Sequence, residues 1–219
     1  MPESSAEHTV RTQMTDSKSN GRGDHDEKAV AFLRMHAKRE LRNRMRSVRA
    51  VLPASARAER SRAAAESVMQ LAEYASAQTI IGFSAIQKEI DPADLLAQAR
   101  ASGKTVGLPR VVGDVLELHE YRDVSELEEG AFGVMEPVAS APVIAADSVD
   151  LVIVPGLAFD TRGHRLGYGR AFYDRMLPQM TRAFRVGFAY DFQFVMELPD
   201  DTHDVPMHAV VTDQRVLRV

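Results

Sequence analysis

The chain has 219 residues, a net charge of -4 at pH 7, 45% hydrophobic residues and 26% charged residues. These values are typical of a globular protein and favour one domain with a sizeable core. The sequence has no cysteine, which excludes disulfides, thiolate zinc sites and a cysteine nucleophile. Its apolar runs are shorter than the roughly 18 residues of a membrane span, and its beginning lacks the apolar region of a secretory signal, so we expect a cytoplasmic protein.

Residues 1–28 are polar and show no periodicity, and we expect them to form a disordered tail. A single domain is then predicted at 29–219. Basic charge is concentrated where this domain begins, because residues 29–60 hold nine Lys or Arg against two Glu. Residues 61–219 hold fourteen Lys or Arg against twenty-three Asp or Glu. A local basic patch on an acidic chain suits an anionic small molecule better than a nucleic acid.

Apolar residues recur at helical spacing within 29–52, which predicts a helix with one stripe facing the core. The stripe consists of Leu41, Met45, Val48 and Leu52. Pro53 ends this helix, and the Ala-rich segment 54–76 predicts a second one. We therefore expect an αα-hairpin before the sheet.

Strands and helices alternate after the hairpin. A strand is predicted at 79–84 and a helix at 92–102, with Asp91 as its N-cap and Pro92 in its first turn. The later predicted elements are strands at 104–108, 115–121, 149–154, 184–189, 208–212 and 215–219, with a helix at 172–180. The order predicts a single-domain, three-layer α/β/α fold that is Rossmann-like, with a mixed but mostly parallel sheet.

A glycine-rich turn follows the strand 149–154, whose unbroken apolar run indicates a buried parallel strand. Gly167 and Gly169 allow a tight turn, and the helix after them directs its first amides toward an anion. Arg165 and Arg170 add positive charge. The turn therefore predicts a phosphate-binding site beyond the carboxyl ends of the strands.

The residues around this turn resemble the signature of the 5-formyltetrahydrofolate cyclo-ligases. The matching segments are VPGLAFD at 154–160, RLGYG at 165–169, FYDR at 172–175, KRELR at 38–42, QKEID at 87–91 and HDVPMHAVVTD at 203–213. The resemblance covers about residues 36–219.

The resemblance implies an enzyme that converts 5-formyltetrahydrofolate into 5,10-methenyltetrahydrofolate with ATP and Mg²⁺, releasing ADP and phosphate. In such a reaction ATP phosphorylates the formyl oxygen and N10 then attacks the activated carbon. The expected partners are a reduced folate and ATP, without nucleic acid or membrane, and the expected state is a monomer.

The resemblance also implies roles for individual residues. Arg165 and Tyr173 are the expected catalytic residues. The expected ATP-binding residues are Lys38, Arg39, Glu40, Leu41, Arg42, Arg165, Leu166, Gly167, Tyr168, Gly169, Arg170, Ala171, Phe172 and Tyr173. The expected folate-binding residues are Ser84, Glu89, Tyr168 and Phe172, and the expected Mg²⁺ ligands are Asp174 and Asp204.

The residues by themselves leave other interpretations open. We interpret Arg44, Arg46 and Arg49 as a solvated helix face, since long cations commonly line exposed helices. Asp174 could instead buttress its helix, and Asp204 could form a turn. Phe172 and Tyr173 could equally belong to the core.

The sequence departs from the family pattern at three positions. Ala171 replaces a glycine, Phe172 stands where tyrosine is usual, and His208 stands where aspartate is common. His208 is either a side chain at the start of a strand or, with His203 and Asp204, part of a metal site.

We expect Ala171 to lie in or next to the first helical turn, with a negative φ at which alanine is unstrained. A positive φ would instead favour a catalytically weakened paralogue that binds nucleotide or folate. An RNA-binding protein is disfavoured because the chain has no known RNA module. A dinucleotide oxidoreductase is disfavoured because the glycines lack the full spacing of the dinucleotide motif.

Overall fold

The computed structural model describes residues 20–199 and 204–219. Backbone contacts divide the chain into two compact units, Met1–His36 and Ala37–Val219. The described part of the first unit is the beginning of one long helix, and the second unit holds the sheet. Residues 1–19 of the predicted tail lie outside the described residues. None of the helices in the described ranges has the length and apolar character needed to cross a bilayer.

The helices follow the predicted pattern with shifted boundaries. They are α1 (Asn20–Ala50), α2 (Ala54–Met69), α3 (Ala72–Ser76), α4 (Ala93–Ala101) and α5 (Phe172–Met176). α1 begins at Asn20, earlier than the predicted 29, although Gly21 and Gly23 are poor helix formers. The predicted helix 54–76 is divided because Leu71 adopts an extended conformation.

The strands form a seven-stranded sheet and two small sheets. They are β1 (Thr79–Ile81), β2 (Thr105–Val112), β3 (Val115–Glu120), β4 (Leu127–Glu129), β5 (Met135–Pro137), β6 (Leu151–Pro155), β7 (Ala158–Asp160), β8 (Arg165–Leu166), β9 (Phe184–Phe188), β10 (Phe194–Val195), β11 (Ala209–Val211) and β12 (Val216–Arg218). The large sheet has the order β12-β11-β9-β6-β1-β2-β3. Its inner pairings are parallel, and β3 and β12 pair antiparallel at the two edges. The prediction of a mixed, mostly parallel sheet is confirmed.

Strand β6 shows why the fold has three layers. All five of its residues are buried, and alternate side chains point to opposite faces of a strand. Leu151 and Ile153 join a core cluster with residues of α2 and α4. Val152 and Val154 join a second cluster with residues of α5. The unbroken apolar run that predicted a buried strand therefore supplies both cores.

The core-facing stripe of α1 differs from the predicted one. Met45 is buried as expected, but Val48 is 38% exposed and Arg49 is only 1% exposed. The buried face thus continues at i+4 from Met45 instead of i+3. An apolar pattern could not indicate this shift, because the buried residue is an arginine. Its charge is paired with the buried carboxylate of Glu89.

The ring of Phe159 fixes the path of the chain after β6. A Cβ atom at Gly156 would lie 2.7 Å from this ring, and one at Gly187 in β9 would lie 2.6 Å from it. Both positions therefore require glycine, since a methyl group would overlap the ring. The small sheet β10-β7-β8, which the sequence pattern did not predict, then leads into the glycine-rich turn.

Candidate active site

A cavity of about 600 Å³ opens at the carboxyl ends of the central strands. Its walls come from α1, from the loops after β1 and β6, from β2 and from the glycine-rich turn. This is the place where open α/β sheets bind ligands, and the volume lies within the usual range for ligand sites.

The cavity collects most of the predicted site residues. Those that line it are Lys38, Arg42, Ser84, Glu89, Arg165, Leu166, Gly167, Tyr168, Gly169, Arg170, Ala171, Phe172, Tyr173, Asp174 and Asp204. Arg39, Glu40 and Leu41 are not among the lining residues. The side chains of Arg39 and Glu40 are more than half exposed, and Leu41 packs into a core cluster with Met45.

Helix α1 presents three cations to the cavity, Lys38, Arg42 and Arg46. The Nε atom of Arg42 donates a hydrogen bond of 2.9 Å to the carbonyl oxygen of Gly167, so the helix is tied directly to the glycine-rich turn. Burial, together with the nearby charge of Arg46, lowers the pKa of the Arg42 guanidinium. An anion in the cavity would relieve this repulsion and accept charge-assisted hydrogen bonds.

Different constraints favour glycine at the two positions of the turn, Gly167 and Gly169. Gly169 has a φ of +95°, a conformation that a side chain disfavours. Gly167 has no positive φ, but a Cβ there would lie 2.5 Å from Nη1 of Arg165. The turn thus combines an exposed backbone with an arginine packed against it, as the predicted phosphate site requires.

Arg165 links the turn to helix α5. Its Nη2 donates a 2.5 Å hydrogen bond to Oδ1 of Asp174, and its guanidinium carbon lies 5.3 Å from the ring centroid of Tyr173. The Arg165 side chain is 7% exposed and the Asp174 side chain is 35% exposed, so water reaches the ion pair mainly from the side of the carboxylate. Burial, with a further contribution from Glu89, raises the pKa of the Tyr173 hydroxyl, which therefore stays protonated at neutral pH.

Two carboxylates of the cavity are the predicted Mg²⁺ ligands. Asp174 pairs with Arg165, and Oδ2 of Asp204 lies 3.9 Å from Nζ of Lys38. The described residues contain no group of three or more His, Asp or Glu side chains that could hold a metal ion by themselves. Mg²⁺ in nucleotide sites commonly uses one or two carboxylates with phosphate and water oxygens, and this pair fits that requirement.

The buried carboxylate of Glu89 also belongs to the cavity wall. The Tyr168 hydroxyl donates to its Oε1, and the Ile86 amide donates to its Oε2 at 3.0 Å. Burial raises the pKa of Glu89, while these hydrogen bonds and the nearby charge of Arg49 oppose the increase. Ser84, half-buried beside it, donates to the carbonyl oxygen of Met135 at 2.5 Å.

The interpretation of Arg44, Arg46 and Arg49 as a solvated face holds only for Arg44, which is exposed. Arg46 is half-buried and lines the cavity. Arg49 is buried, with Nη1 3.5 Å from Oε1 of Glu89. The interpretation was wrong for these two residues because distant segments cover them: the loop that carries Glu89 packs against Arg49, and Tyr168 of the glycine-rich turn lies near Arg46.

His208 has the structural role that one interpretation gave it. Its Nδ1 accepts a 3.0 Å hydrogen bond from the Arg185 amide, and its ring stacks on Phe184 at 5.1 Å between centroids. Burial and the charge of Arg185 lower its pKa, so the imidazole is neutral at neutral pH. His203 of the alternative metal site lies outside the described residues.

The prediction of a negative φ at Ala171 is wrong. The residue is the N-cap of α5 and therefore lies next to the first helical turn, but its φ is 54° and its ψ is 18°, in the left-handed region. The turn of the glycine-rich loop sets this conformation, because the helix begins only at Phe172. An L-residue in this region is strained by about 1–2 kcal/mol, which explains why the family pattern has glycine here.

Several lining residues were not predicted because their sequence context carries no signal. Phe132 is 59% exposed, has a φ of 64°, and lies at the rim, with the Arg170 guanidinium carbon 3.6 Å from its ring centroid. Glu136 is 2% exposed yet faces the same cavity. Both lie between predicted elements, and only the fold brings them to the glycine-rich turn.

A family model described as the 5-formyltetrahydrofolate cyclo-ligase family matches residues 34–213. The chain belongs to this family. It is therefore an enzyme of the cyclo-ligase family, and the resemblance stated from its motifs is confirmed.

Individual relatives agree with the family match. The 5-formyltetrahydrofolate cyclo-ligase of Escherichia coli K12 is 34% identical over 179 residues, which cover 78% of this chain and 98% of the relative. The probable 5-formyltetrahydrofolate cyclo-ligase of Schizosaccharomyces pombe is 34% identical over 148 residues, covering 60% and 72%.

Solved structures have the same fold. The 5,10-methenyltetrahydrofolate synthetase of Aquifex aeolicus superposes with a TM-score of 0.75 at 34% identity, covering 83% of this chain and 92% of that one. The synthetase of Mycoplasma pneumoniae gives 0.67 at 20% identity, covering 80% and 98%, and supports the fold alone.

Replacing Ala171 with glycine removes the left-handed strain, and we expect the free energy of unfolding to rise by about 1 kcal/mol. Catalytic efficiency should change by less than about tenfold, because the methyl group of Ala171 lines the cavity without contributing charge to it. Chemical denaturation and steady-state kinetics measure the two effects. Ala58→Gly in α2 is the matched control and should lower the unfolding free energy by about 0.5–1 kcal/mol. A gain of several orders of magnitude in turnover for Ala171→Gly would contradict this account.

Proposed function

We propose that the protein converts 5-formyltetrahydrofolate into 5,10-methenyltetrahydrofolate and couples the reaction to hydrolysis of ATP to ADP and phosphate. The observation that carries the proposal is that one cavity joins a cationic glycine-rich turn to a buried carboxylate. The cationic turn suits the phosphates of a nucleoside triphosphate, and the buried carboxylate suits the N–H donors of a pterin ring. A monomeric state and a cytoplasmic location stay predictions from the sequence.

The chemistry explains why ATP is needed. A formyl group on N5 is a poor electrophile, and its oxygen is a poor leaving group. Transfer of the γ-phosphoryl group to the formyl oxygen forms an O–P bond, releases ADP and makes the carbon electrophilic. N10 then attacks that carbon and loses its proton, the C–O bond breaks, and phosphate leaves with the former formyl oxygen.

In this proposal the protein contributes position and charge more than covalent chemistry. Lys38, Arg42 and Arg165 bind the phosphates, with Gly167 and Gly169 leaving room for them. Arg165 stabilises the charge that develops on the transferred phosphoryl group, and Tyr173 lies beside Arg165 as a neutral hydroxyl donor. Glu89, Ser84, Tyr168 and Phe172 hold the folate so that its formyl oxygen faces the nucleotide.

Asp174 and Asp204 are the residues that would hold Mg²⁺ with the nucleotide. When bound, the ion neutralises phosphate charge and makes ADP a better leaving group. In the protein without ligands, Asp174 pairs with Arg165, so each of these two side chains already has a partner before the substrates bind.

A second candidate, a catalytically weakened paralogue that binds nucleotide or folate, is favoured by the positive φ of Ala171. This strain lowers the stability of the fold and does not remove any charged group from the cavity. The charged residues proposed for both substrates, Lys38, Arg42, Arg165 and Glu89, are all present in the cavity wall. We therefore propose the active enzyme.

The experiment that tests the proposal is turnover. Purified protein with ATP, Mg²⁺ and 5-formyltetrahydrofolate should generate the absorbance of the methenyl product, with ADP and phosphate formed in equal amounts. Omission of ATP should abolish the product. Absence of product with a substrate that a known cyclo-ligase consumes would contradict the proposal, and binding without turnover would establish the weakened paralogue.

Removal of single cations from α1 should weaken nucleotide binding specifically. Lys38→Ala and Arg42→Ala should each lower catalytic efficiency for ATP about ten- to a hundredfold, because each loses a charge-assisted contact to phosphate. Circular dichroism should show an unchanged fold. Arg44→Ala is the matched control, since Arg44 is exposed on the same helix, and its kinetics should equal those of the wild type. Wild-type kinetics in both cavity variants would contradict the assignment.

A further inference from the structure

Arg49 is buried and is not among the residues that line the cavity. Its side chain is 1% exposed, and its Nη1 lies 3.5 Å from Oε1 of Glu89. Its Nε donates a 3.1 Å hydrogen bond to the carbonyl oxygen of Gln87. The guanidinium therefore contacts both the Glu89 side chain and the backbone of the loop that carries it.

Burial of the Arg49 guanidinium destabilises the fold unless an opposite charge compensates it. Its Nη1 and Nη2 are buried and make no hydrogen bond to any part of the chain that the structure describes. Buried donors without hydrogen bonds destabilise a fold, and a buried arginine persists where its charge is compensated. Glu89 is the carboxylate within ion-pair distance, so the two charges compensate each other.

Tyr168 connects this ion pair to the glycine-rich turn. Its hydroxyl donates to Glu89, and its ring centroid lies 5.7 Å from the guanidinium carbon of Arg49 and 5.8 Å from that of Arg46. Arg49 thus contacts both Glu89 and Tyr168, two of the four residues proposed to bind the folate. Arg49 itself is not among the residues that line the cavity.

We propose that Arg49 is a positioning residue that holds Glu89 in place as an ionised acceptor for the N–H donors of the pterin ring. This inference rests on the proposed function, in which Glu89 binds the folate. Burial alone favours the protonated form of a carboxyl group, and a nearby cation opposes that preference. A protonated Glu89 would offer a donor where the pterin also offers donors, and binding would weaken.

Replacement of Arg49 should change the KM for 5-formyltetrahydrofolate and leave the KM for ATP nearly unchanged. Arg49→Met should raise the KM for 5-formyltetrahydrofolate by about ten- to a hundredfold and leave the KM for ATP within about twofold. Arg49→Lys keeps the charge and should restore part of the loss. Arg44→Met, an exposed change on the same helix, should leave both constants unchanged. An equal rise in both KM values would overturn the proposal, because a structural defect affects both substrates.

A double-mutant cycle tests whether Arg49 acts through Glu89. In a Glu89→Gln background, Arg49→Met should raise the folate KM no further, since the charge it supports is already absent. Additive effects would overturn the proposal. If Arg49→Met fails to fold, Arg49→Lys takes its place in the cycle, with an effect expected in the wild-type background and none in Glu89→Gln.

Failure of the inference can be distinguished from failure of the proposed function. A wild-type protein that neither turns over nor binds 5-formyltetrahydrofolate in calorimetry would contradict the proposed function, and the inference with it. A wild-type protein that turns over, with an Arg49→Met variant of unchanged folate KM, would contradict the inference alone.

Discussion

The ion pair between Arg49 and Glu89 is the interaction on which the cavity depends most. Both side chains are buried, and a buried charge is stable only when an opposite charge lies close to it. The pair fixes α1 against the loop after β1, and the Tyr168 hydroxyl adds the glycine-rich turn to the same contact. Three segments that are distant in sequence thus meet at one point. The register of α1 follows, because burial of Arg49 turns Val48 toward solvent.

That register also directs the cations of α1 into the cavity. Lys38, Arg42, Arg46 and Arg49 recur at helical spacing, so they share one side of the helix. Arg42 donates to Gly167, while Arg46 faces the same opening. Arg49, the buried member of this row, neutralises the carboxylate of Glu89, and the three other cations suit an anionic ligand. One helix therefore contributes to both substrate sites in the proposed reaction.

Much of this arrangement could be predicted from the sequence because it depends on local patterns. The apolar run at 149–154 indicated the central strand β6, and Gly167 and Gly169 indicated the turn after it. Contacts between distant segments could not be predicted in the same way. The stripe of α1 was misassigned at Val48, since the partner of Arg49 lies in another loop. The φ of Ala171 was misjudged, since the direction of the turn, and not the following helix, determines it.

The left-handed Ala171 and the buried Arg49 have opposite consequences for function. Ala171 lines the cavity, but its strain removes no charged group, so we expect the strain to act mainly on the stability of the fold. Arg49 is buried against Glu89, which we propose to bind the folate, so we expect its loss to weaken folate recognition. We therefore expect a departure from the family pattern that keeps the charged groups in place to affect function less than the loss of such a group.

The decisive step of the proposed reaction is the transfer of the γ-phosphoryl group to the formyl oxygen within the cavity. It is tested most directly with 5-formyltetrahydrofolate that carries ¹⁸O in the formyl group, incubated with ATP and the protein. The account predicts that the released phosphate contains the label, because the C–O bond breaks after the O–P bond has formed. A parallel incubation without ATP measures exchange of the label with water. Methenyl product accompanied by unlabelled phosphate, with the label retained in the remaining substrate, would contradict the account.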